Sequence, residues 1–465
     1  MAKFNMNKEK VSMPEQDPNV RNKNFDEVAL GYDLKMAQEE ALRCVQCKNK
    51  PCMGGCPVSV RIPEFIHQVV EGDLDKAYEI ISSTNNLPAI CGRVCPQENQ
   101  CEGVCTRGRN GEPVGIGRLE RFVADYHMNK EYNKPTEVTG QNKKVAVVGS
   151  GPSGLSCAAD LAKLGYKVVM FEAFHTAGGV LMYGIPEFRL PKTLVQKELK
   201  NVIGLGVKLQ RNTIIGRTKT INELFEEGFE AVYVSTGAGL PKFLGIEGEN
   251  LNGVYSANEF LTRMNLMKAY KFPEYDTPVH IGKKVCVVGG GNVAMDAARS
   301  AKRMGADVTV VYRRSFEEMP ARAEESHHAK EEGINFMNLH NPVEIEGENG
   351  WVKKVKLEVM ELGEEDKSGR RRPVPTGKYE EVDFDSVIVS IGQSPNPLIK
   401  QTNDDINTES WGGIIIDDST MTSKDGVFAG GDAVSGAATV ILAMGAGKKA
   451  AENIDKYIKN KAKEI

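Results

Sequence analysis

The stretch KVAVVGSGPSGLSCAADLAKLGYKVVMFE, residues 144–172, restricts what this chain can fold into more than any other. An apolar run from Val145 to Val148 is short enough for a buried strand. Gly149, Gly151 and Gly154 follow as G-x-G-x-x-G, a helical pattern runs from Leu155 to Leu164, and Gly165 stops it. A second apolar strand, Val168 to Phe171, ends on Glu172. Strand, glycine turn, helix, strand and terminal acid in this order predict a βαβ dinucleotide site. The first glycine makes the tight turn, the second lets the backbone approach a pyrophosphate, and the third lets the helix lie close on the strand. Pro152 and Ser153 open the helix, whose free N–H groups face the phosphates. Glu172 stands 18 residues past Gly154, where a carboxylate accepts hydrogen bonds from a ribose 2′-OH.

The plan repeats 140 residues later. A strand from Lys284 to Val288 leads into Gly289, Gly291 and Ala294 as G-x-G-x-x-A, with Asn292 among them, and a second strand runs from Val308 to Tyr312. This is a duplicated nucleotide-binding unit, not a solenoid array, whose period is shorter. Here the position 18 residues on is Tyr312, followed by Arg313 and Arg314. A carboxylate repels a 2′-phosphate, whereas arginine grips one bidentately. The first unit therefore suits FAD or NAD and the second NADP. One chain with both predicts FAD in the first unit and NADPH in the second, with hydride passing between nicotinamide and isoalloxazine. That transfer needs no side-chain acid or base. No Ser-His-Asp or paired-carboxylate constellation stands out, so no catalytic side chain is nominated.

Eight of the ten cysteines fall between Cys44 and Cys105. Cys44, Cys47, Cys52 and Cys56 read C-x2-C-x4-C-x3-C before Pro57, and Cys91, Cys95, Cys101 and Cys105 read C-x3-C-x5-C-x3-C, with Pro96 after the second. Soft thiolates at short spacing bind zinc or iron–sulfur clusters. Eight are too many for one zinc, and the Cys-Pro endings resemble bacterial ferredoxins. Two structural zinc sites are the competing reading. Cys157 and Cys286, inside the two nucleotide units, lack a C-x-x-C partner, which counts against a thioredoxin-reductase-like dithiol. They read as small buried side chains.

At 465 residues the chain has room for about three domains. Its net charge of −4 gives no electrostatic case for nucleic acid. No window reaches 18 consecutive apolar residues, so no membrane span is expected. The start, MAKFNMNKEK, has no apolar h-region, so no signal peptide is expected. A cytoplasmic location with reduced cysteines follows.

Residues 1–35 form a polar extended arm. Helical patterns cover 36–41, 61–81 and 116–127, and residues 130–142 are a linker. Gly178 and Gly179 begin the loop GGVLMYGIPEFRLPK; a helix runs from Lys192 to Leu205, and a strand from Ala231 to Ser235 ends at Gly237. His327 and His328, flanked by charges, suit a surface helix, and EEDKSGRRR at 364–372 suits a solvated hairpin tip without a functional role. A strand at 387–390 closes the second unit, and the chain ends with FAGGDAV, containing Gly431 and Asp432, and a long helix from Thr439 to Lys461. The fold class is α/β: two Rossmann-like domains, for FAD and NADPH, preceded by an α-helical iron–sulfur domain. The expected bounds are 1–140 for the helical domain, 141–280 for the first part of the FAD domain, 281–385 for the NAD(P)H domain, and 386–465 for the second part of the FAD domain.

The segments RCVQCKNKPCMGGCPV, CGRVCPQENQCEGVC, IGRLERFVADY, VVGSGPSGL, GGVLMYGIPEFRLPK, VVGGGNVAMD and FAGGDAV span nearly the whole chain. Together they resemble the small (beta) subunit family of NADPH-dependent glutamate synthase. Its relatives include the large subunit of NADH-dependent ferredoxin:NADP oxidoreductase, sulfide dehydrogenase-type subunits and part of dihydropyrimidine dehydrogenase. The resemblance implies two [4Fe–4S] clusters with crossed ligation. One would use Cys44, Cys47, Cys52 and Cys105; the other Cys56, Cys95 and Cys101 with Glu120, leaving Cys91 unused. A carboxylate oxygen is a harder donor than thiolate and should alter that cluster's potential. The resemblance also implies that Gly178, Gly179, Gly237 and Gly431 line the FAD and that Asp432 lies at its ribityl and phosphate side. The helix after Thr439 would then point its N-terminus at the isoalloxazine, favouring negative charge there.

The implied function is electron passage between NADPH and a second redox subunit. That partner is the glutamate synthase large subunit or, alternatively, a ferredoxin-reductase-like flavoprotein in an electron-bifurcating transhydrogenase. The chain shows neither an N-terminal nucleophilic cysteine domain nor a flavin-binding barrel, so it is not expected to make glutamate alone. A zinc-bearing scaffold with structural nucleotide sites is the reading from a different class.

Overall fold

The computed structural model describes residues 4–128, 130, 142–366 and 369–463. The linker expected at 130–142 lies almost wholly outside them. The cysteine-bearing segment folds around α1 (Ile62–Glu71), α2 (Leu74–Ser82), α3 (Pro88–Val94) and α4 (Ile116–Met128). In α1 the apolar residues Ile62, Phe65, Ile66 and Val69 recur at helical spacing and are all buried, so one stripe faces inward. Gly72, at φ +81°, ends the helix in a conformation that costs other residues more. In α4 the inward stripe includes Leu119 and Val123 but also Glu120, a carboxyl buried in a helix interior.

The first glycine turn joins β1 (Lys144–Val148) to α5 (Pro152–Lys163), followed by β2 (Lys167–Phe171), α6 (Lys192–Gly204), β3 (Lys208–Gln210) and β4 (Phe229–Val234). The second unit has β5 (Val254–Ser256), β6 (Lys284–Val288), α7 (Asn292–Arg303), β7 (Asp307–Tyr312), α8 (Ala323–Glu331) and β8 (Asn335–Asn338). An antiparallel hairpin sheet, β9 (His340–Glu348), β10 (Trp351–Glu365) and β11 (Arg371–Asp383), is inserted before β12 (Ser386–Val389). The chain then adds β13 (Val427–Ala429) and α9 (Val440–Lys461).

Two five-stranded parallel sheets result, ordered β13-β4-β1-β2-β3 and β5-β12-β6-β7-β8. Both central strands are covered on both faces, which is why β1 and β6 read as unbroken apolar runs. β13 pairs with β4, so the C-terminal segment completes the first sheet. One continuous core joins the helical segment to the first unit, running from Phe65, Ile90 and Leu119 to Val145, Leu155 and Met444. The second unit has a core of its own around Phe260, Val287 and Ala298.

Two expectations change here. The polar arm does not extend away from the body. Arg21 is 1% exposed and is held by Glu15 (2.9 Å), Glu331 (2.5 Å) and Glu332 (3.2 Å), so it stitches the arm to the second unit. His327 is exposed as read, but His328 is buried, with Nε2 3.0 Å from Glu15 Oε2. The arm covers that helix face, and residues 313 positions apart in sequence meet there. Cys157 and Cys286 are fully buried, as their surroundings suggested.

Candidate functional site

In the first unit the helix–turn packing leaves no room for a side chain at Gly149, Gly154 or Gly179. A Cβ on Gly154 would strike the Gly149 carbonyl and the Ser235 hydroxyl, and a Cβ on Gly179, at φ +55°, would strike Gly151. Ser235 Oγ itself donates to the Val148 carbonyl at 2.9 Å, fixing β4 against the turn. Glu172 ends β2 with one oxygen accepting from the Ser150 N–H (3.2 Å) and hydroxyl, and the other from the Phe174 N–H at 2.8 Å. Ser150 Oγ accepts from Gly178 N at 2.9 Å, which ties the second loop to the glycine turn. Pro152 and Ser153 begin α5, and Ser153 Oγ meets the buried Tyr233 hydroxyl at 2.7 Å. Gly237 has φ +70° with open space where a side chain would project.

The loop that begins at Gly178 is anchored by Lys192. Its ammonium donates to the carbonyls of Leu181 and Leu190, both at 3.0 Å, and to that of Ile185. Gly431 packs against the Ser153 side chain. Asp432 follows; burial pushes its carboxyl up to about 6, opposed by the Ala438 N–H donating at 3.3 Å. Burial pushes the Tyr183 phenol up to about 12, with the charges of Glu172 and Asp432 adding to the rise. Thr439 caps α9, accepting from Leu442 N at 3.4 Å. The structure thus gathers Gly149, Gly151, Gly154, Gly178, Gly179, Gly431, Asp432 and Glu172 beyond the carboxyl ends of the parallel strands. A flavin nucleotide fits a cradle in which backbone approach is this close.

In the second unit a cavity of about 820 Å³ runs from Gly289, Gly291 and Asn292 to Arg313 and Arg314. Ala294 is fully buried beneath it. Asn292 Oδ1 accepts from Arg322 N at 2.9 Å. Arg313 is exposed. Arg314 is buried, its guanidinium donating to Asp366 Oδ2 (2.6 Å) and to the Arg371 carbonyl (2.8 Å). In the β10–β11 hairpin, Asp366 meets Arg314 and Arg370 lines the same cavity. The hairpin is not simply solvated, as its composition suggested.

The cysteines separate into two groups that cross the sequence blocks. Cys44, Cys47, Cys52 and Cys105 line one small pocket. Burial pushes the Cys44 thiol up to about 11 and the Cys52 thiol up to about 12, and the neighbouring thiols add. The second group is Cys56, Cys91, Cys95 and Cys101 with Glu120. Burial pushes Cys56 up to about 11, with Glu120 and Cys91 adding. Burial also pushes Cys101 up, with Glu120 and Cys56 among its neighbours. Cys95 is raised by its hydrogen bond with Cys91, by burial and by Glu120. The Glu120 carboxyl rises to about 7 through burial, while Asn85 Nδ2 donates to it at 2.7 Å. Converging soft donors whose protons burial retains suit a bound cation, which replaces those protons.

Reading along the chain missed three contributors. Asn85 orients Glu120; Tyr233 underlies the first helix; Met444 on α9 brings its sulfur to 3.5 Å from Cys91 Sγ. Only the helical register of α9, which places Met444 on its buried face, could have pointed to the last.

Two glycine-turn units and a cysteine-rich helical module define a pyridine-nucleotide oxidoreductase of the flavin and iron–sulfur class. Residues 143–447 match the pyridine nucleotide-disulphide oxidoreductase family, and residues 21–132 match the dihydropyrimidine dehydrogenase domain II, 4Fe-4S cluster. The Escherichia coli (strain K12) glutamate synthase [NADPH] small chain is 35% identical over 97% of this chain and 97% of its own length. The chain belongs to the family of these small chains, FAD- and iron–sulfur-containing NADPH oxidoreductase subunits. The Moorella thermoacetica NADP(+)-dependent formate dehydrogenase subunit beta is 39% identical over 88% of this chain, which spans 60% of that protein. Mycobacterium tuberculosis FprA in complex with NADPH shares the fold at 22% identity, with a TM-score of 0.59 over 70% of this chain and 86% of that one. Among the described residues no helix is long and apolar enough to cross a membrane.

Proposed function

We propose that this chain is the electron-input subunit of an NADPH-dependent glutamate synthase, working in the cytoplasm with a large partner subunit. The observation that carries the reading is the course of α9. Its first turn opens beside Asp432 and the first glycine turn. Within the next turn Met444 touches Cys91, and Gly445 packs on Pro57, the residue after Cys56. One rigid helix thus spans the flavin cradle and the second cysteine group.

In this reading Gly149, Gly151, Pro152, Ser153 and Gly154 hold the FAD pyrophosphate and Glu172 its ribose, while Gly178, Gly179, Gly237, Gly431, Asp432 and Thr439 surround the rest. Gly289, Gly291, Asn292 and Ala294 hold the NADPH pyrophosphate, and Arg313 with Arg314 forms the cationic end for the 2′-phosphate. Two [4Fe–4S] clusters are held, one by Cys44, Cys47, Cys52 and Cys105, the other by Cys56, Cys95, Cys101 and Glu120. When bound, FAD accepts hydride from the nicotinamide and the clusters carry single electrons onward. The chain's own residues position these groups and exclude water: Tyr233 and Ser235 seal the underside of the turn, and the α9 N-terminus supplies a positive dipole end.

Coverage of nearly the full length of the small chains supports glutamate synthase over enzymes in which the match is one part of a longer subunit. Anaerobic purification of the native complex tests the proposal. A large amidotransferase subunit should co-purify. A ferredoxin-reductase-like flavoprotein in its place would instead make this the large subunit of a bifurcating transhydrogenase.

A further inference from the structure

The loop that starts at Gly178 is docked at one end in each nucleotide unit. At its first end Gly178 N donates to Ser150 Oγ at 2.9 Å, and Gly179 lies against the Gly151 backbone. Later in the same loop Arg189 enters the second unit. Its Nη1 donates to both carboxylate oxygens of Asp296 at 2.7 Å, and its Nε meets Glu325 Oε1 at 2.8 Å. The Arg189, Asp296 and Glu325 side chains are only 8%, 5% and 6% exposed, so water competes little for these contacts. Asp296 stands one turn into α7, which begins at Asn292 in the second glycine turn. Beside Arg189, Phe188 is fully buried, with the Arg303 and Arg299 guanidinium carbons 3.8 and 4.8 Å from its ring centre. The Tyr183 and Gly184 carbonyls accept from Asn265 Nδ2, both at 3.2 Å. Asn265 ends the helix Ala257–Asn265, which packs in the core of the second unit.

The chain itself crosses between the two units at Leu240–Pro241 and at Gln393–Ser394, which pair as a short antiparallel ribbon. A ribbon this narrow leaves rotation about its own axis open. The buried ion pairs close that freedom, because a guanidinium parted from its carboxylates inside the protein is strongly unfavourable. We propose that Arg189 and Asp296 are positioning residues that fix the second glycine turn against the flavin cradle, so that hydride passes between the nucleotides from one docked arrangement. The inference rests on FAD in the first unit and NADPH in the second. In that transfer the nicotinamide gives up a hydrogen with both electrons to the isoalloxazine, so NADPH is oxidised as FAD is reduced. Neither Arg189 nor Asp296 lines the cavity of the second unit, so the pair should govern rate and not affinity.

Arg189→Lys and Asp296→Asn are close in size to the originals and remove the fork or its counter-charge. Three readouts on the holoenzyme test the pair: flavin bleaching at saturating NADPH, calorimetric affinity for 2′,5′-ADP, and backbone amide exchange. Bleaching should slow about tenfold or more in both variants, within the roughly hundredfold that misplacement by about 1 Å costs. Affinity for 2′,5′-ADP should stay at the wild-type value, and exchange should rise over 179–191 and 292–296. Arg21→Met releases the arm from Glu331 and Glu332 without touching Arg189, and as the stability control it should bleach like wild type. If it slows bleaching as much as the pair does, general loosening accounts for the effect and the positioning role is overturned. Wild-type rates or unchanged exchange in Arg189→Lys and Asp296→Asn overturn it too, as does a loss of 2′,5′-ADP affinity that matches the loss of rate. A wild-type protein that carries flavin yet does not bleach with NADPH sinks the NADPH reading itself, and this inference with it.

Discussion

Met444 Sδ lies 3.5 Å from Cys91 Sγ, both fully buried, where α9 crosses the second cysteine group. The contact joins the last helix of the chain to a module that precedes both nucleotide units. Met444→Ala would leave a void at this crossing, with a cost of about 2–5 kcal/mol for such truncations. The variant should unfold at a lower denaturant midpoint and retain less iron per chain. Wild-type stability and iron content together would mean that α9 does not brace the cysteine group.

Glu120 and Cys91 both face Cys95, and the proposed ligand is the carboxylate. Glu120→Ala should perturb one cluster's paramagnetic signal and leave the other, with iron content falling by no more than one cluster's share. Unchanged iron and two unchanged signals would remove Glu120 from the ligand set.

Glu332 is the centre of a buried ionic junction. It accepts from Arg299 (2.7 Å), Arg303 (2.6 Å) and Arg21 (3.2 Å), joining the N-terminal arm to the second unit. Burial acts to raise its carboxyl, but Arg299 and Arg303 outweigh that and hold it at about 2. Glu332→Gln leaves three guanidinium groups short of a counter-charge, a loss of about 3–5 kcal/mol in comparable buried pairs. The expected results are a lowered unfolding midpoint and faster proteolysis of the arm. A variant within about 0.5 kcal/mol of wild type, the range of ordinary surface substitutions, would show that the junction contributes no net stability.

How much of this was legible in the chain depends on distance along it. The glycine turns and the cysteine spacings were readable because each lies within one short segment whose backbone geometry demands it. The buried side of the arm was not, since Arg21 finds Glu332 across 311 positions. The contact between Arg314 and Asp366 was not legible, because the two lie 52 positions apart and meet only through the hairpin. His328 looked solvated because nothing local marks Glu15 as its cover. Spacing could not separate Glu120 from Cys91, since both converge on the same thiols.

Glu198 couples the helical module to the first unit, accepting from Ala89 N at 2.8 Å near the start of α3. Burial pushes its carboxyl up to about 8, against the opposing hydrogen bonds from Ala89 and Asn201. Between its ordinary range and about 8 the folded chain keeps a proton that the unfolded chain has released. Stability from this group is therefore present at low pH and lost as pH rises through that window. Glu198→Gln, which cannot ionise, should flatten the fall in stability between about pH 4.5 and pH 8, as followed by urea unfolding. A slope identical to wild type would show that Glu198 does not hold the proton.

In the proposed function, electrons enter from NADPH at the second unit and leave through flavin and iron. Anaerobic addition of NADPH to the purified protein, followed by visible absorbance and by low-temperature paramagnetic resonance, tests it most directly. The flavin band should bleach and reduced iron–sulfur signals should follow, with NADH far less effective. A protein that holds flavin and iron yet stays oxidised under excess NADPH would contradict the account.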